Sequence, residues 1–230
     1  MYRIIYAGDS TAARNSFATW PQCGLSQGIL WYLKDDVFVR SFAVNGRSTK
    51  SFIDEGRLKE IEGCIAPGDL FIIGFGHNDE KQQDPLRYAD PFGAYKDNLK
   101  EFIRVGREHG AHPLIITPVA RRLFDGDGHF LPGSHGDYPR AAIEAASEEA
   151  VPFIDLDSKS EKLLSAMGDL ASRELYVYPK DNSHMTIRGA VVMAGLLAEE
   201  LKKLGAPFSD VLCDAAVASP ADYHSAEKEE

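Results

Sequence analysis

The chain has 230 residues, 44% of them hydrophobic, and a formal net charge of −10. This length suits one well-buried domain and is short for two, and no stretch approaches the roughly 20 apolar residues of a membrane helix. Because nucleic-acid binding depends on clustered Lys and Arg, the acidic balance argues against a nucleic-acid partner.

Strand-like sequence begins directly after Met1-Tyr2-Arg3, which leaves no room for a signal peptide. The cysteines, Cys23, Cys64 and Cys213, are far apart and odd in number. They predict neither a disulfide framework nor a spaced metal site, and are most simply reduced thiols. We therefore expect a cytoplasmic protein without a membrane partner.

Along the chain, apolar runs alternate with helical patterns, which is typical of a parallel sheet covered on both faces. Strands are predicted at residues 3–7, 37–44, 69–75, 113–117 and 152–156. Helices are predicted at residues 24–34, 57–64, 92–109, 139–149, 158–167 and 187–204. This alternation predicts a single three-layer α/β/α domain with a doubly wound, five-stranded parallel sheet. We expect the domain to span residues 1–218 and the acidic residues 219–230 to form a disordered tail.

Polar clusters follow three of the predicted strands, and a fourth precedes the last helix. They are Gly8-Asp9-Ser10, Asn45-Gly46-Arg47-Ser48, Gly76-His77-Asn78-Asp79 and Asp181-Asn182-Ser183-His184. Each alone is also typical of a turn or a helix cap. Because the carboxyl ends of parallel strands meet at one edge of a sheet, the clusters together favour a single site.

The residue types in these clusters match the parts of a serine esterase. Ser10 is a hydroxyl nucleophile, His184 is a base that titrates near neutrality, and Asp181 can orient its ring. The backbone N–H groups of Ser10 and Gly46 and the side-chain amide of Asn78 can donate to a developing oxyanion. The pattern predicts an acyl-enzyme on Ser10, with neither a metal ion nor a cofactor.

A second serine motif, Gly24-Leu25-Ser26-Gln27-Gly28, fits the Gly-x-Ser-x-Gly pattern of a nucleophile elbow. That pattern requires a preceding strand, whereas residues 18–22 contain Pro21 and are not strand-like. We interpret the motif as the start of a helix.

The four polar clusters resemble the four sequence blocks of the SGNH (GDSL-type) hydrolases. Ser10, Gly46, Asn78 and His184 match the residues that name that family, and Asp181 matches its third triad member. The resemblance covers residues 4 to about 204 and implies a flavodoxin-like fold.

More narrowly, residues 75–79, 117–122 and 135–139 are similar to motifs of the rhamnogalacturonan acetylesterase group. This resemblance implies an enzyme that removes acetyl esters from galacturonic acid in pectic rhamnogalacturonan. Without a signal peptide, it suggests an intracellular enzyme that acts on imported oligosaccharides.

Arg47, Arg121 and Arg122 leave strand ends at the expected active edge, where a guanidinium can bind a galacturonate carboxylate. His135, in the polar loop of residues 124–138, is a further candidate for substrate binding. For any one of these residues, a local salt bridge or simple solvation is an equally good explanation.

Two other functions are compatible with the same framework. A lysophospholipase, thioesterase or general arylesterase can use the same triad, but the first two need a wide apolar acyl channel. A carbohydrate-binding module can keep the fold without catalysis, although intact Ser10, Asp181 and His184 favour an enzyme. The sequence leaves the oligomeric state open.

Overall fold

Five parallel strands form one sheet in the order β2-β1-β3-β4-β5. The strands are β1 (Arg3–Gly8), β2 (Phe38–Ser41), β3 (Leu70–Gly74), β4 (His112–Ile116) and β5 (Phe153–Ile154). The computed structural model describes residues 2–213. The predicted fold class is confirmed, whereas the predicted domain end at residue 218 and the predicted tail lie outside the described residues.

Helices cover both faces of the sheet. They are α1 (Leu25–Gly28), α2 (Thr49–Asp54), α3 (Arg57–Glu62), α4 (Lys96–Glu108), α5 (Tyr138–Glu148), α6 (Leu156–Ser172) and α7 (Ile187–Leu204). Side chains from α1, α6 and α7 form one hydrophobic core, and side chains from α2 to α5 form the other. Burial on both faces explains why β1 and β3 are nearly continuous apolar runs. Among the helices within residues 2–213, none has the length and apolar character that crossing a bilayer requires.

The helix predicted over residues 24–34 is shorter in the structure. After α1, the chain forms a 3₁₀ turn over Ile29–Tyr32 and then becomes extended. Leu33 pairs with Leu212 in an isolated β-bridge, and Lys34 N–H donates to Val211 O at 3.0 Å. A helical hydrophobic period cannot reveal a pairing between residues so distant in sequence.

Helix α2 (six residues) is absent from the predicted elements, and of its residues only Thr49 and Phe52 are buried. Its first turn is capped by Ser48, whose Oγ accepts from Ser51 N–H at 3.1 Å. The cap is a local signal of the kind that marks a helix start.

The strand order creates the crevice in which the site lies. The chain passes from β1 to β2 on one side and later adds β3 on the other side of β1. Open parallel sheets bind ligands at such a switch point, outside the carboxyl ends of the strands. Ser10 follows β1 and residues 76–79 follow β3, so two of the polar clusters emerge here.

Candidate active site

A tight turn after β1 presents Ser10 at the edge of the sheet. Asp9 O accepts from the N–H groups of Ala12 (3.2 Å) and Ala13 (2.9 Å). The Oδ1 atom of Asp9 accepts from Thr11 N–H at 2.9 Å and from Thr11 Oγ1 at 2.8 Å. Asp9 is fully buried, and this burial raises the pKa of its carboxyl. The turn therefore holds Ser10 in place and leaves its hydroxyl at the surface of a cavity.

Ser10, His184 and Asp181 form a continuous hydrogen-bonded chain. Ser10 Oγ lies 2.8 Å from His184 Nε2, and His184 Nδ1 lies 2.6 Å from Asp181 Oδ2. With a proton on Nδ1, His184 donates to Asp181 and accepts from the Ser10 hydroxyl. This geometry allows the imidazole to remove the hydroxyl proton while Asp181 stabilises the resulting imidazolium.

Asp181 is held in its ionised form. Partial burial raises the pKa of Asp181, but hydrogen bonds from the His184 ring and from the N–H groups of His184 and Ser183 outweigh it. The net result is a pKa below the usual carboxyl value. The two N–H groups reach Oδ1 at 2.7 Å from Ser183 and 2.9 Å from His184. Asp181 is thus available to the imidazole as a carboxylate.

The turn that carries His184 is anchored by backbone hydrogen bonds to distant segments. Cys23 N–H donates to Met185 O at 2.9 Å, and Arg122 N–H donates to Asn182 O at 2.8 Å. His184 O accepts from Val177 N–H at 2.9 Å. These bonds fix the backbone of the turn, so the imidazole position does not depend on its own side-chain contacts alone.

A cavity of about 340 Å³ opens beside the Ser10 hydroxyl. Its lining is polar or charged and consists of Ser10, Thr11, Gln22, Asn45, Gly46, His77, Asn78, Lys81, Arg121, Asp181, Ser183 and His184. The predicted oxyanion donors therefore line the same cavity as the triad; they are Ser10, Gly46 and Asn78. Within residues 2–213, the N–H groups of Ser10 and Gly46 donate to no other backbone or side-chain group. Gly46 has a φ of +78°, a value that favours glycine.

Hydrogen bonds on both sides of its amide orient Asn78. Its Nδ2 donates to Arg47 O at 3.2 Å, which leaves one N–H for a ligand. Its Oδ1 accepts from Lys81 Nζ at 2.9 Å and from Arg87 Nη1 at 3.4 Å. Because cations cannot donate to an NH₂ group, these contacts set which end of the amide faces them. The amide is thus prepared to donate to a negative charge.

Asp79, next to Asn78, holds the loop that contains Gly46 through hydrogen bonds to Thr49. Its Oδ1 accepts from Thr49 N–H at 2.9 Å and from Thr49 Oγ1 at 2.5 Å. Burial raises the pKa of Asp79 well above the usual carboxyl value. Thr49 begins α2 directly after the Gly46 loop, so this pair ties the two oxyanion segments together. Sequence reasoning gave Asp79 no role, although its place beside Asn78 at a strand end was visible.

Of the four predicted substrate-binding residues, the fold brings only Arg121 into the cavity. Its guanidinium forms an ion pair with Glu80 and donates to Ser183 Oγ. Arg47 instead points to Glu55, with 3.0 Å between Nε and Oε2. We therefore do not retain the Arg47 side chain as a substrate contact.

Arg122 and His135 do not line the cavity, although Arg122 lines the larger groove that adjoins it. The Arg122 side chain is 4% exposed, ion-paired with Asp169 and stacked on the rings of Phe124 and Tyr178. Arg122 does follow the end of β4, as predicted, but the Arg122 side chain points into the protein. His135 is buried behind the cavity-lining His77 and is not solvated.

His135 belongs to a buried charged network. It lies 2.9 Å from Val119 O through Nε2 and 3.0 Å from Glu80 Oε2 through Nδ1. Both partner atoms are hydrogen-bond acceptors, so both ring nitrogens of His135 face acceptors. Burial raises the pKa of Glu80, but its hydrogen bond with His135 and the charges of His135 and Arg121 outweigh it and lower the pKa overall. Because Glu80 contacts both His135 and Arg121, this network holds the Arg121 side chain in position.

His77 packs its ring edge-to-face against His135, with 4.3 Å between ring centroids. Burial lowers the pKa of His77 well below its usual value, and the ring is therefore neutral at physiological pH. Sequence reasoning gave His77 no chemistry, and the structure places it as a buried wall of the cavity.

A larger groove of about 1100 Å³ adjoins the cavity. It is lined mainly by residues 122–128, 167–170 and 178–183, and it shares Asp181 and Ser183 with the cavity. On its rim, Asp125, Asp127 and His129 bring ligand-type atoms within 4.8 Å of one another, and all three are exposed. Within the described residues, this is the group that could hold a metal ion, and it does not contact the triad.

The alternative serine motif does not form a nucleophile elbow. Ser26 is buried within α1, and Gly24 is the residue that precedes this helix. The interpretation as a helix start is confirmed.

A family model described as the GDSL-like Lipase/Acylhydrolase family matches residues 6–191. The probable rhamnogalacturonan acetylesterase YesY of Bacillus subtilis (strain 168) is 39% identical over 213 residues, which cover 90% of this chain and 95% of that protein. The rhamnogalacturonan acetylesterase RhgT of the same strain is 37% identical over 222 residues, covering 91% and 94%. A crystal structure of the B. subtilis protein YXIM superposes with a TM-score of 0.79 at 27% identity, covering 90% of this chain and 58% of that one.

Proposed function

Because the chain belongs to the GDSL-like lipase/acylhydrolase family, we propose that it is a serine esterase that removes O-acetyl groups from galacturonic acid in rhamnogalacturonan oligosaccharides. The observation that carries this proposal is the Ser10–His184–Asp181 chain, with links of 2.8 Å and 2.6 Å, beside a polar cavity. The names of the two B. subtilis relatives support the substrate class.

In the proposed reaction, Ser10 Oγ attacks the acetyl carbonyl as His184 Nε2 takes the hydroxyl proton. The N–H groups of Ser10 and Gly46 and the Asn78 amide stabilise the oxyanion. His184 then protonates the sugar oxygen that leaves, and an acetyl group remains on Ser10. A water molecule, deprotonated by His184, attacks this ester and releases acetate while the proton returns to Ser10.

The cavity lining favours a short acyl group. Among the described residues that line it, none has a hydrocarbon side chain. A lysophospholipase or a long-chain thioesterase has to bury many methylene groups, each of which gains about 0.8 kcal/mol in an apolar site. A cavity of about 340 Å³ without hydrocarbon side chains gives a long acyl chain no extended apolar channel, and it thus supports acetyl esters over long-chain acyl substrates.

We also propose that the enzyme acts in the cytoplasm on imported oligosaccharides. Cys23, Cys64 and Cys213 are all unpaired, which suits a reducing compartment. Fractionation of the native cells, with activity measured in each fraction, tests this location. Activity in the culture medium alone would contradict it.

Acetate release from acetylated rhamnogalacturonan oligosaccharides tests the substrate proposal, with acetylated xylan measured in parallel. We expect release from the pectic substrate alone and no release by Ser10→Ala. Hydrolysis of p-nitrophenyl acetate through Ser10, with no release from either polysaccharide, would retain the triad but overturn the pectic assignment. A Ser10→Ala variant that remains fully active would overturn the serine mechanism itself.

A further inference from the structure

We propose that Lys81 binds the carboxylate of the sugar that carries the acetyl ester, and that it makes the enzyme selective for acidic sugars. This inference rests on the proposed function. Lys81 is not among the predicted site residues, because it lies two residues beyond the strand-end cluster of residues 76–79.

Lys81 lines the catalytic cavity, and its Nζ lies 2.9 Å from Asn78 Oδ1. An ammonium group has three N–H donors, and Asn78 uses one of them. Among residues 2–213, no carboxylate forms an ion pair with Lys81, although Asp and Glu residues pair with most nearby cations. Lys81 therefore keeps both charge and donors for a ligand.

The other cations near the cavity already have carboxylate partners. Arg121 is paired with Glu80, which also contacts His135. Arg87, which lies outside the cavity lining, is 2.5 Å from Asp84 Oδ2. Each guanidinium is therefore engaged by a carboxylate of the protein, and Lys81 is engaged by none of the carboxylates that the structure describes. Within the described chain, Lys81 is the cavity cation whose charge a substrate can compensate.

The surroundings of Lys81 favour an anion in the cavity. Burial lowers the pKa of Lys81, and the positive charges of Arg87 and Arg121 lower it further, which outweighs the opposite effect of the Glu80 and Asp9 charges. A bound carboxylate offsets this repulsion. The ammonium is a compact charge without the fixed fork of Arg, so it can donate hydrogen bonds to a carboxylate from several directions.

The position of Lys81 also selects the sugar. Lys81 contacts the amide of Asn78, and that amide is a proposed donor to the reacting oxyanion. The bound carboxylate therefore lies close to the ester that is cleaved. We assign it to the acetylated sugar itself rather than to a distant one.

The test uses acetylated rhamnogalacturonan oligosaccharides with free carboxylates and the same oligosaccharides after methyl esterification. The wild-type enzyme should have a lower KM for the free acid. Lys81→Met should raise the KM for the free acid about 10- to 100-fold and remove this preference, because a charge-assisted hydrogen bond is lost. Lys81→Arg should restore most of the preference.

Arg87→Met is the matched control, because Arg87 contacts the same amide oxygen from outside the cavity. It should lower kcat for both substrates and leave the preference for the free acid. Loss of the preference in Arg87→Met, or equal effects of Lys81→Met on both substrates, would overturn the assignment to Lys81. A wild-type enzyme that cleaves both substrates with equal KM would also overturn it. Failure to cleave either, with p-nitrophenyl acetate still hydrolysed, would instead overturn the proposed function.

Discussion

Two of the segments that form the candidate site differ in burial. In the turn of residues 181–184, the side chains of His184 and Asp181 are 30% and 32% exposed, respectively. In the segment of residues 77–79, Asn78 is 3% exposed and Asp79 is fully buried. The first turn presents reactive groups to the cavity, whereas the second supports a donor by packing beneath it. Changes in the first should mainly lower activity, and changes in the second should also lower stability.

The carboxylates of the two turns illustrate the difference. Hydrogen bonds outweigh partial burial at Asp181 and lower its pKa, whereas burial dominates at Asp79 and raises its pKa well above the usual value. Asp181 therefore contributes a charge to the site. Asp79 is instead neutral over a wider pH range and acts as a structural acceptor.

The largest effect is expected at the ends of the hydrogen-bonded chain. Ser10→Ala and His184→Ala should each lower kcat by roughly 10⁴- to 10⁶-fold, and the double variant should be no worse than either single one. The reason is that the nucleophile and base act as a unit. Steady-state kinetics with an aryl acetate measure this, and circular dichroism should show unchanged folding. Additive losses in the double variant would contradict a shared mechanism.

Asp181→Asn should lower kcat by about 10⁴-fold, because the amide no longer stabilises the correct tautomer and charge of His184. Its shape is nearly unchanged, so the fold should be retained, and the melting temperature at neutral pH should fall only slightly because the lost carboxylate is partly exposed. Asn182→Ala, one residue along the same turn, is a matched control that should retain activity. A fully active Asp181→Asn variant would show that His184 is oriented without this carboxylate.

Asn78→Ala should lower kcat by about 10²- to 10³-fold with little change in KM, since one oxyanion donor is lost. It should also destabilise the protein by about 1 kcal/mol, because the buried Asn78 amide is lost and its part-buried partners lose hydrogen bonds. Urea unfolding and steady-state kinetics on the same preparation measure both effects. A stability loss without a kinetic loss would remove Asn78 from the oxyanion donors.

The smallest expected effect is a change in the pH dependence of stability in Asp79→Asn. Because the folded-state pKa of Asp79 is raised, the wild type loses stability as the pH rises from the ordinary carboxyl value towards that raised pKa. The amide cannot ionise, so the variant should lack this decline. For Asp181, whose pKa is lowered, the sign is opposite, and its stabilisation is lost as the pH falls through the folded-state pKa.

Thermal unfolding across pH, measured for Asp79→Asn and Asp181→Asn, compares the two signs directly. Identical profiles for both variants would contradict the contrast between the turns.

The positions of the strand ends in the sequence predict which backbone segments form the site, but they do not predict where each side chain points. The clusters at residues 8–10, 45–48, 76–79 and 181–184 meet at the switch point because parallel topology brings strand ends together. The direction of a side chain depends on packing between distant segments. Arg122 therefore turns to Asp169, and Lys81 enters the cavity from beyond the predicted cluster.

Local periodicity also has a limit in the fold itself. The last helix, predicted at residues 187–204, has the same bounds in α7, since it is long and amphipathic. The helix predicted over residues 24–34 is shorter, since a 3₁₀ turn follows α1 and Leu33 is extended and pairs with Leu212 near the end of the described chain. Long elements are thus recognisable from sequence, whereas short ones depend on contacts that only the folded chain makes.

Asp181 and Ser183 line both the cavity and the larger groove. This shared lining connects the length of the substrate to the rate of turnover. An oligosaccharide that fills the groove covers one face of Asp181 and excludes water there. Exclusion of water strengthens the attraction between this carboxylate and the imidazolium that forms during the reaction. Longer substrates should therefore react faster at saturation, and not only bind more tightly, than a single acetylated sugar.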